Sequence, residues 1–173
     1  ETGNDHLLGG DGHDFLDGGA ETDQLDGNAG DDHLLGGGGV GDSLSGDDGS
    51  DHLEGSDDGA DFLDGGSGDD WIEGHGGNDQ LLGRDGSDRL EGGSGDDLLE
   101  GGLGSDYLVG GGQNDVLYGH TLAGTADDAA VDYLYGDAGS AEIFVDAGGD
   151  QLFGGDGNDL IVANQGNDSV DGD

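Results

Sequence analysis

The sequence predicts an all-β parallel solenoid, and three features carry that prediction. A nine-residue period runs through the chain, one position of the nine is always apolar, and glycine recurs at three of the others. Residues 9–17 read GGDGHDFLD, 65–73 GGSGDDWIE, 74–82 GHGGNDQLL, 83–91 GRDGSDRLE, 92–100 GGSGDDLLE and 101–109 GGLGSDYLV, giving the consensus G-G-x-G-x-D-x-L-x. A helix cannot carry it: glycine costs roughly 1 kcal/mol per helical position relative to alanine, and there is no apolar stripe of 3.6-residue period.

Within each unit, positions seven to nine alternate variable, apolar, variable, which suits a three-residue strand with the eighth side chain facing inward. The eighth-position residues are Leu7, Leu16, Leu25, Leu34, Leu44, Leu53, Leu63, Ile72, Leu81, Leu90, Leu99, Leu108, Leu117, Leu134, Phe144, Leu152, Ile161 and Val170. Positions one to six form a turn in which glycine admits positive φ and leaves carbonyls open to a ligand. Two units, 18 residues, close one coil of strand, turn, strand, turn. Unit n then lies under unit n+2, and the 18 units build about nine coils, two short parallel sheets and a rod of roughly 43 Å. The spacings Asp32 to Asp42 and Asp51 to Asp61 are ten, not nine; the extra residues fall in the fifth and seventh units, on the same side, where their bulges can stack.

The sixth position holds an acid throughout: Asp5, Asp14, Asp23, Asp32, Asp42, Asp51, Asp61, Asp70, Asp79, Asp88, Asp97, Asp106, Asp115, Asp132, Glu142, Asp150, Asp159 and Asp168. Stacked about 5 Å apart, neighbouring carboxylates repel by on the order of 1 kcal/mol in water and several near a protein surface, so the columns demand counterions. The whole chain poses the same demand, with a net charge of −41 and only 29 % apolar residues, a composition that alone stays disordered. That charge repels nucleic acid and anionic lipid and attracts cations. A hard divalent ion taking six to eight oxygens fits paired carboxylates and glycine-turn carbonyls, which selects calcium over the smaller magnesium. With 0 Cys and no ligand spacing among the 6 His, zinc is disfavoured and the histidines read as solvated surface.

These units resemble the calcium-binding nonapeptide repeats of RTX (repeats-in-toxin) proteins, over essentially the whole chain. The resemblance implies a right-handed parallel β-roll whose calcium ions lie between turns, held by sixth-position Asp side chains and turn carbonyls. It also implies a secreted bacterial protein, exported by type I secretion and folding outside the cell. The seventeen sixth-position aspartates are therefore the expected metal ligands, for up to about 16 ions, one per stacked pair; full loading would reduce −41 to about −9. The pattern departs from the family's at the fourth position, where Glu21 and Gln113 replace glycine, and at 119–131, which reads as a surface loop insertion. Ion binding is least defined from 119 to 150.

The seventh positions of even units, Phe15, His33, His52, Trp71, Arg89, Tyr107 and Tyr133, form one outward column. Cross-strand stacking, with Arg89 between Trp71 and Tyr107, accounts for it; docking of carbohydrate, a cell surface or a second rod through Phe15, Trp71, Tyr107 and Tyr133 is the alternative. No serine elbow, P-loop or Cys nucleophile is present, GGGGVG at 36–41 lacks the strand and helix of a dinucleotide site, and no apolar run approaches the roughly 20 residues of a membrane helix. Asn167-Asp168-Ser169 matches a glycosylation sequon but sits in an expected ion-binding turn. The expectation is a non-enzymatic, calcium-triggered folding and spacing module spanning 1–173, one segment of a longer protein. An adhesive, surface-layer or filament-forming role through the aromatic column or the roll ends stands as the runner-up.

Overall fold

A computed structural model of the chain describes residues 2–120, 130–145 and 147–172. Among them there is no helix, and nearly all strands belong to two parallel nine-stranded sheets. One sheet stacks His6–Asp11, Gln24–Ala29, Ser43–Asp48, Phe62–Ser67, Gln80–Asp85, Leu98–Leu103, Val116–Tyr118, Glu142–Phe144 and Leu160–Val162. The other stacks Phe15–Ala20, His33–Gly38, His52–Ser56, Trp71–Gly76, Arg89–Ser94, Tyr107–Gly112, Tyr133–Ala138, Gln151–Phe153 and Ser169–Asp171. A short pair, Ala147–Gly148 with Gln165–Gly166, flanks them. Every pairing joins unit n to unit n+2, so the chain is a β-solenoid of about nine turns with about 18 residues in each.

Between the sheets runs a single file of eighth-position side chains. From Leu25 to Leu134 each is fully buried, and Leu25, Leu44, Leu63, Leu81, Leu99 and Leu117 stack in register along one sheet as Leu34, Leu53, Ile72, Leu90, Leu108 and Leu134 do along the other. The core is one residue thick per strand because the seventh and ninth positions face outward.

The strands outrun the three residues expected. Most span six, because parallel pairing resumes beyond the first-position glycine: Leu7↔Leu25 and Leu8↔Asp26 are followed by Gly10↔Asn28 and Asp11↔Ala29. The residue just after that break is left-handed, as at Gly10 (φ 105°) and Asn28 (φ 76°), and the bend turns the chain without ending the ladder.

One register differs from the sequence expectation. Ile143, not Phe144, pairs with Leu117 and Ile161 and is buried in the core file, while Phe144 pairs with Tyr118 on the outer face. The sixth position of that unit is therefore Ala141, and Glu142 lies at the exposed seventh. The core decides it, since a phenylalanine outside can stack on Tyr118 (centroids 4.9 Å apart) whereas the file accepts a branched aliphatic residue.

The two ten-residue units bulge on one side and meet there: a Cβ on Gly59 would come within 2.7 Å of the Val40 Cα. Glu21 (φ 81°) and Gln113 (φ 86°) take the left-handed conformation that glycine holds in other turns, so the fourth-position substitutions keep the turn. Of the insertion at 119–131, residues 121–129 lie outside the described residues; pairing resumes at Tyr107↔Tyr133 in unbroken n to n+2 order.

Truncating the file at its centre is expected to be expensive. Leu90→Ala, with Ile72 and Leu108 above and below, should lose about 2–5 kcal/mol in urea unfolding of the calcium-saturated chain, while Leu8→Ala, 62 % exposed, should stay within about 0.5 kcal/mol of wild type.

Candidate metal centre

Each turn delivers its sixth-position carboxylate to the inside of the corner where turn meets strand. Asp23, Asp32, Asp42, Asp51, Asp61, Asp70, Asp79, Asp88, Asp97, Asp106, Asp115, Asp132 and Asp150 are buried to 3 % exposure or less; Asp5, Asp14, Asp159 and Asp168, towards the ends of the rod, are half-buried. The backbone N–H of each aspartate donates to Oδ1 of the aspartate one coil on. Asp5 to Asp23 is 2.8 Å, Asp14 to Asp32 2.7 Å, Asp51 to Asp70 2.8 Å, Asp88 to Asp106 2.9 Å and Asp150 to Asp168 3.2 Å. Two axial columns result, 5-23-42-61-79-97-115 and 14-32-51-70-88-106-132-150-168. The first is interrupted at Ala141, whose own N–H donates to Asp159 Oδ1 (3.0 Å) but which has no carboxylate for Asp115.

The second oxygen of these carboxylates is what needs explaining. Oδ2 of Asp5, Asp14, Asp23, Asp32, Asp42, Asp51, Asp70, Asp79, Asp88, Asp97 and Asp115 is shut off from solvent and accepts no hydrogen bond from the protein. A buried carboxylate oxygen left so is costly. Each points into a cradle that glycine keeps open. A Cβ on Gly92 would meet Asp97 Oδ2 at 2.5 Å and Gly110 O at 2.7 Å, and one on Gly74 would meet Asp79 Oδ2 at 2.6 Å and Gly92 O at 2.7 Å. From the other side of the gap, second- and fourth-position carbonyls such as Gly19 O and Gly12 O point at the glycine one coil on, Gly37 and Gly30. Carbonyl and carboxylate oxygens thus converge between successive turns with no donor among them. That is a hard-cation donor set, and a calcium ion fits it chemically.

Asp61 is the exception within its column. Its Oδ2 accepts from the Ser56 backbone N–H (2.6 Å) and hydroxyl (3.0 Å), because serine occupies the second position of that turn.

Electrostatics registers the same conflict. Burial pushes the Asp70 carboxyl up to about 8, against the Asp51 N–H bond that favours the charged form and with the Asp88 and Asp51 charges adding to the rise. Burial likewise lifts Asp79, Asp88 and Asp115 to about 7 and Asp51 to about 6, and raises Asp42 and Asp97.

The outward column has the register expected, with Arg89 between Trp71 and Tyr107 in the sheet and its guanidinium 4.9 Å from the Tyr107 centroid. His33 stacks on His52 (4.6 Å) and His52 on Trp71 (4.4 Å), and Phe15 meets His33 edge-on. The Tyr107 ring meets that of Tyr135, at the ninth position, while Tyr133 is its partner in the sheet. What the sequence reading missed is a second titratable cluster on this face: His33, His52, Glu54, Glu73 and His75 come together although no two of the histidines have ligand spacing along the chain. Their signal is positional, seventh, ninth and second places of adjacent coils, and it emerges once the ninth and second positions are set beside the seventh-position column.

A glycine-cornered solenoid with oxygen-lined gaps between its turns defines a class, the metal-binding repeat modules. The family model of the RTX calcium-binding nonapeptide repeat (4 copies) matches residues 1–25, 9–41, 56–90, 82–117 and 144–173, well over half of the chain, and the chain belongs to that family. It is an RTX calcium-binding repeat β-roll, a structural module. No curated protein matches the chain.

Raised carboxyl pKa values fix the sign of a pH response. Folded, these groups hold protons that an unfolded aspartate, near 3.9, releases, so the stability they contribute is fully present below about pH 4 and is lost as pH rises through about 6 to 8. In calcium-free solution, β content by far-UV circular dichroism should therefore increase on acidification from pH 8 to pH 4; constant or falling β content would contradict the assignment of these carboxyls to a desolvated column.

Proposed function

We propose that this roll is a calcium-gated folding module, disordered where calcium is scarce and rigid where it is millimolar, as outside a cell. The observation that carries the reading is the column of buried Oδ2 atoms with no protein donor. The chain supplies the oxygens: Oδ2 of stacked aspartates and the glycine carbonyls of the two turns they bridge. A bound calcium ion supplies the positive charge that like-charged carboxylates stacked along the rod lack. The Oδ1 ladder holds each carboxylate in place, and the glycine corners keep Cβ atoms out of the gap.

Ala141 leaves fourteen of the sixteen stacked pairs with two acids, so we place the ion capacity at about fourteen and expect the Asp61 turn, where Ser56 competes for Oδ2, to be the weaker of its neighbours. Secretion in the unfolded state and folding on arrival follow from the same gate. The spacing role in a longer secreted bacterial protein rests on family membership and on the rod form.

Far-UV circular dichroism during a titration from chelator to millimolar calcium, with magnesium in parallel, tests the reading. A cooperative coil-to-β transition with calcium alone supports it, and β structure that persists at neutral pH in chelator refutes it. Asp88→Asn separates charge from hydrogen bonding, since the amide oxygen still accepts from the Asp70 N–H. This variant should need several-fold more calcium to fold, yet be no less structured than wild type in chelator, because it removes a desolvated charge.

A further inference from the structure

On the outer face of the sheet containing His33–Gly38, His52–Ser56 and Trp71–Gly76, three imidazoles and the Glu73 carboxylate lie around Glu54, as two triads that share it, one of His33, His52 and Glu54 and one of Glu54, Glu73 and His75. His33 Nε2 lies 3.0 Å and His52 Nε2 3.6 Å from Glu54 Oε1; His75 Nε2 lies 3.7 Å from Glu54 Oε2; His52 Nε2 lies 3.5 Å from Glu73 Oε2. We infer that this cluster is a site for one borderline transition-metal ion, zinc in the first instance, separate in place and in chemistry from the oxygen-lined turns.

Three observations support a metal over a set of surface ion pairs. First, the spacings suit it. Ligands at about 2.0–2.2 Å from a tetrahedral zinc lie about 3.3–3.6 Å from one another, and the His52 contacts to Glu54 and Glu73 fall in that range, too long for good hydrogen bonds. Second, His52 Nε2 is shut off from solvent and has no hydrogen-bond partner, although it is aimed between two carboxylates. A hydrogen bond would close those 3.5 and 3.6 Å contacts, whereas ligand atoms around a shared ion sit at that spacing. Third, the rings are held. His52 is sandwiched between His33 (4.6 Å, 9° between planes) and Trp71 (4.4 Å, 15°), which fixes their in-plane Nε2 atoms along one edge before any ion arrives.

The donor set selects the ion. Imidazole nitrogen suits zinc, copper or nickel and is a poor ligand for calcium, which takes oxygen. The two kinds of site thus differ in donor type: the gaps between turns are lined by carboxylate and carbonyl oxygens, whereas this face adds imidazole nitrogens to its two carboxylates. A cluster of histidines and glutamates drawn from three successive coils also ties those coils together on the face opposite the core, in addition to the sheet hydrogen bonds and ring stacking there.

The full chain in millimolar calcium, with the roll verified by circular dichroism, is titrated with cobalt(II) and then zinc, following cobalt d–d absorption and Trp71 emission. One equivalent of cobalt with a tetrahedral or five-coordinate spectrum, displaced by one equivalent of zinc and unaffected by a further rise in calcium, is the expected result. Glu54→Gln and Glu73→Gln, which leave the ring stack intact, should each weaken zinc at least about tenfold, and His13→Ala, in a turn outside the cluster, should leave it unchanged. Absence of saturable binding, affinity equal in Glu54→Gln and wild type, or cobalt displaced by calcium would each overturn the assignment. The inference rests on the proposed calcium-dependent roll, and the circular dichroism check shows whether the roll has formed before cobalt or zinc is added, so a failure to fold and a failure to bind the second metal are distinguished.

Discussion

Everything in this molecule answers to one constraint: identical carboxylates are stacked on themselves at the spacing of a parallel sheet and are then buried. The hydrophobic file between the sheets contributes one aliphatic side chain per nine residues, a thin core for 173 residues. Against it stand 43 acidic residues and 2 basic ones, and the basic ones are already committed, Arg84 bidentate to Asp64 and Arg89 to Glu91. No internal rearrangement of this sequence can neutralise the columns. In the proposed function the missing positive charge comes from solution, and at neutral pH a fold that draws its stability from a ligand follows that ligand's concentration.

The division of labour between the two carboxylate oxygens makes that dependence structural as well as electrostatic. Oδ1 is spent on the N–H of the previous coil, which fixes the side chain in one rotamer and leaves Oδ2 no freedom to seek solvent. The glycine at position one is needed for the same reason. A Cβ there would collide with Oδ2 and with a carbonyl of the next coil, as at Gly18, Gly27 and Gly74, so the residue is glycine because the gap must stay open. Elsewhere in the turn, left-handed backbone is tolerated in other residues, Arg84 and His75 among them, and the side chain points outward.

How much of this was legible in the sequence depends on how many coils a feature needs. The period, the file of leucines and the sixth-position acids are visible within single units, and the fold built on them is the one found. The slip at Ala141 arose because in the stretch AEIFV the only acid, Glu142, has an apolar residue two on, Phe144, whereas the register that the structure adopts puts Ala141 in the acid's place. Anchoring on the local acid chose Glu142 and Phe144; Gly136 five residues before Ala141 and Asp159 eighteen after it point to the other frame, and the core enforces that frame through Ile143. The outward column already put His33 and His52, nineteen apart, in neighbouring coils; the cluster required in addition the ninth-position Glu54 and Glu73 and the second-position His75, which that column leaves out. Sequence spacing on a solenoid reports ligand sets only after the coil length is known.

That geometry also explains how two metal chemistries can share a rod without competing. A residue's place in the nine decides the surface it serves: sixth-position side chains enter the corners, the eighth enters the core, and the seventh and ninth are displayed on the flat faces. Corners accept short side chains, aspartate at most of them with Ala141 and Ser56 as exceptions, and bare backbone, which makes them oxygen sites. The flat faces are free to carry any side chain, and a column of imidazoles repeated along one face gains stacking energy whether or not it binds an ion. Nitrogen donors can therefore accumulate on the faces without disturbing the corners. Selectivity between hard and borderline cations follows from position in the repeat, with no specialised domain for either.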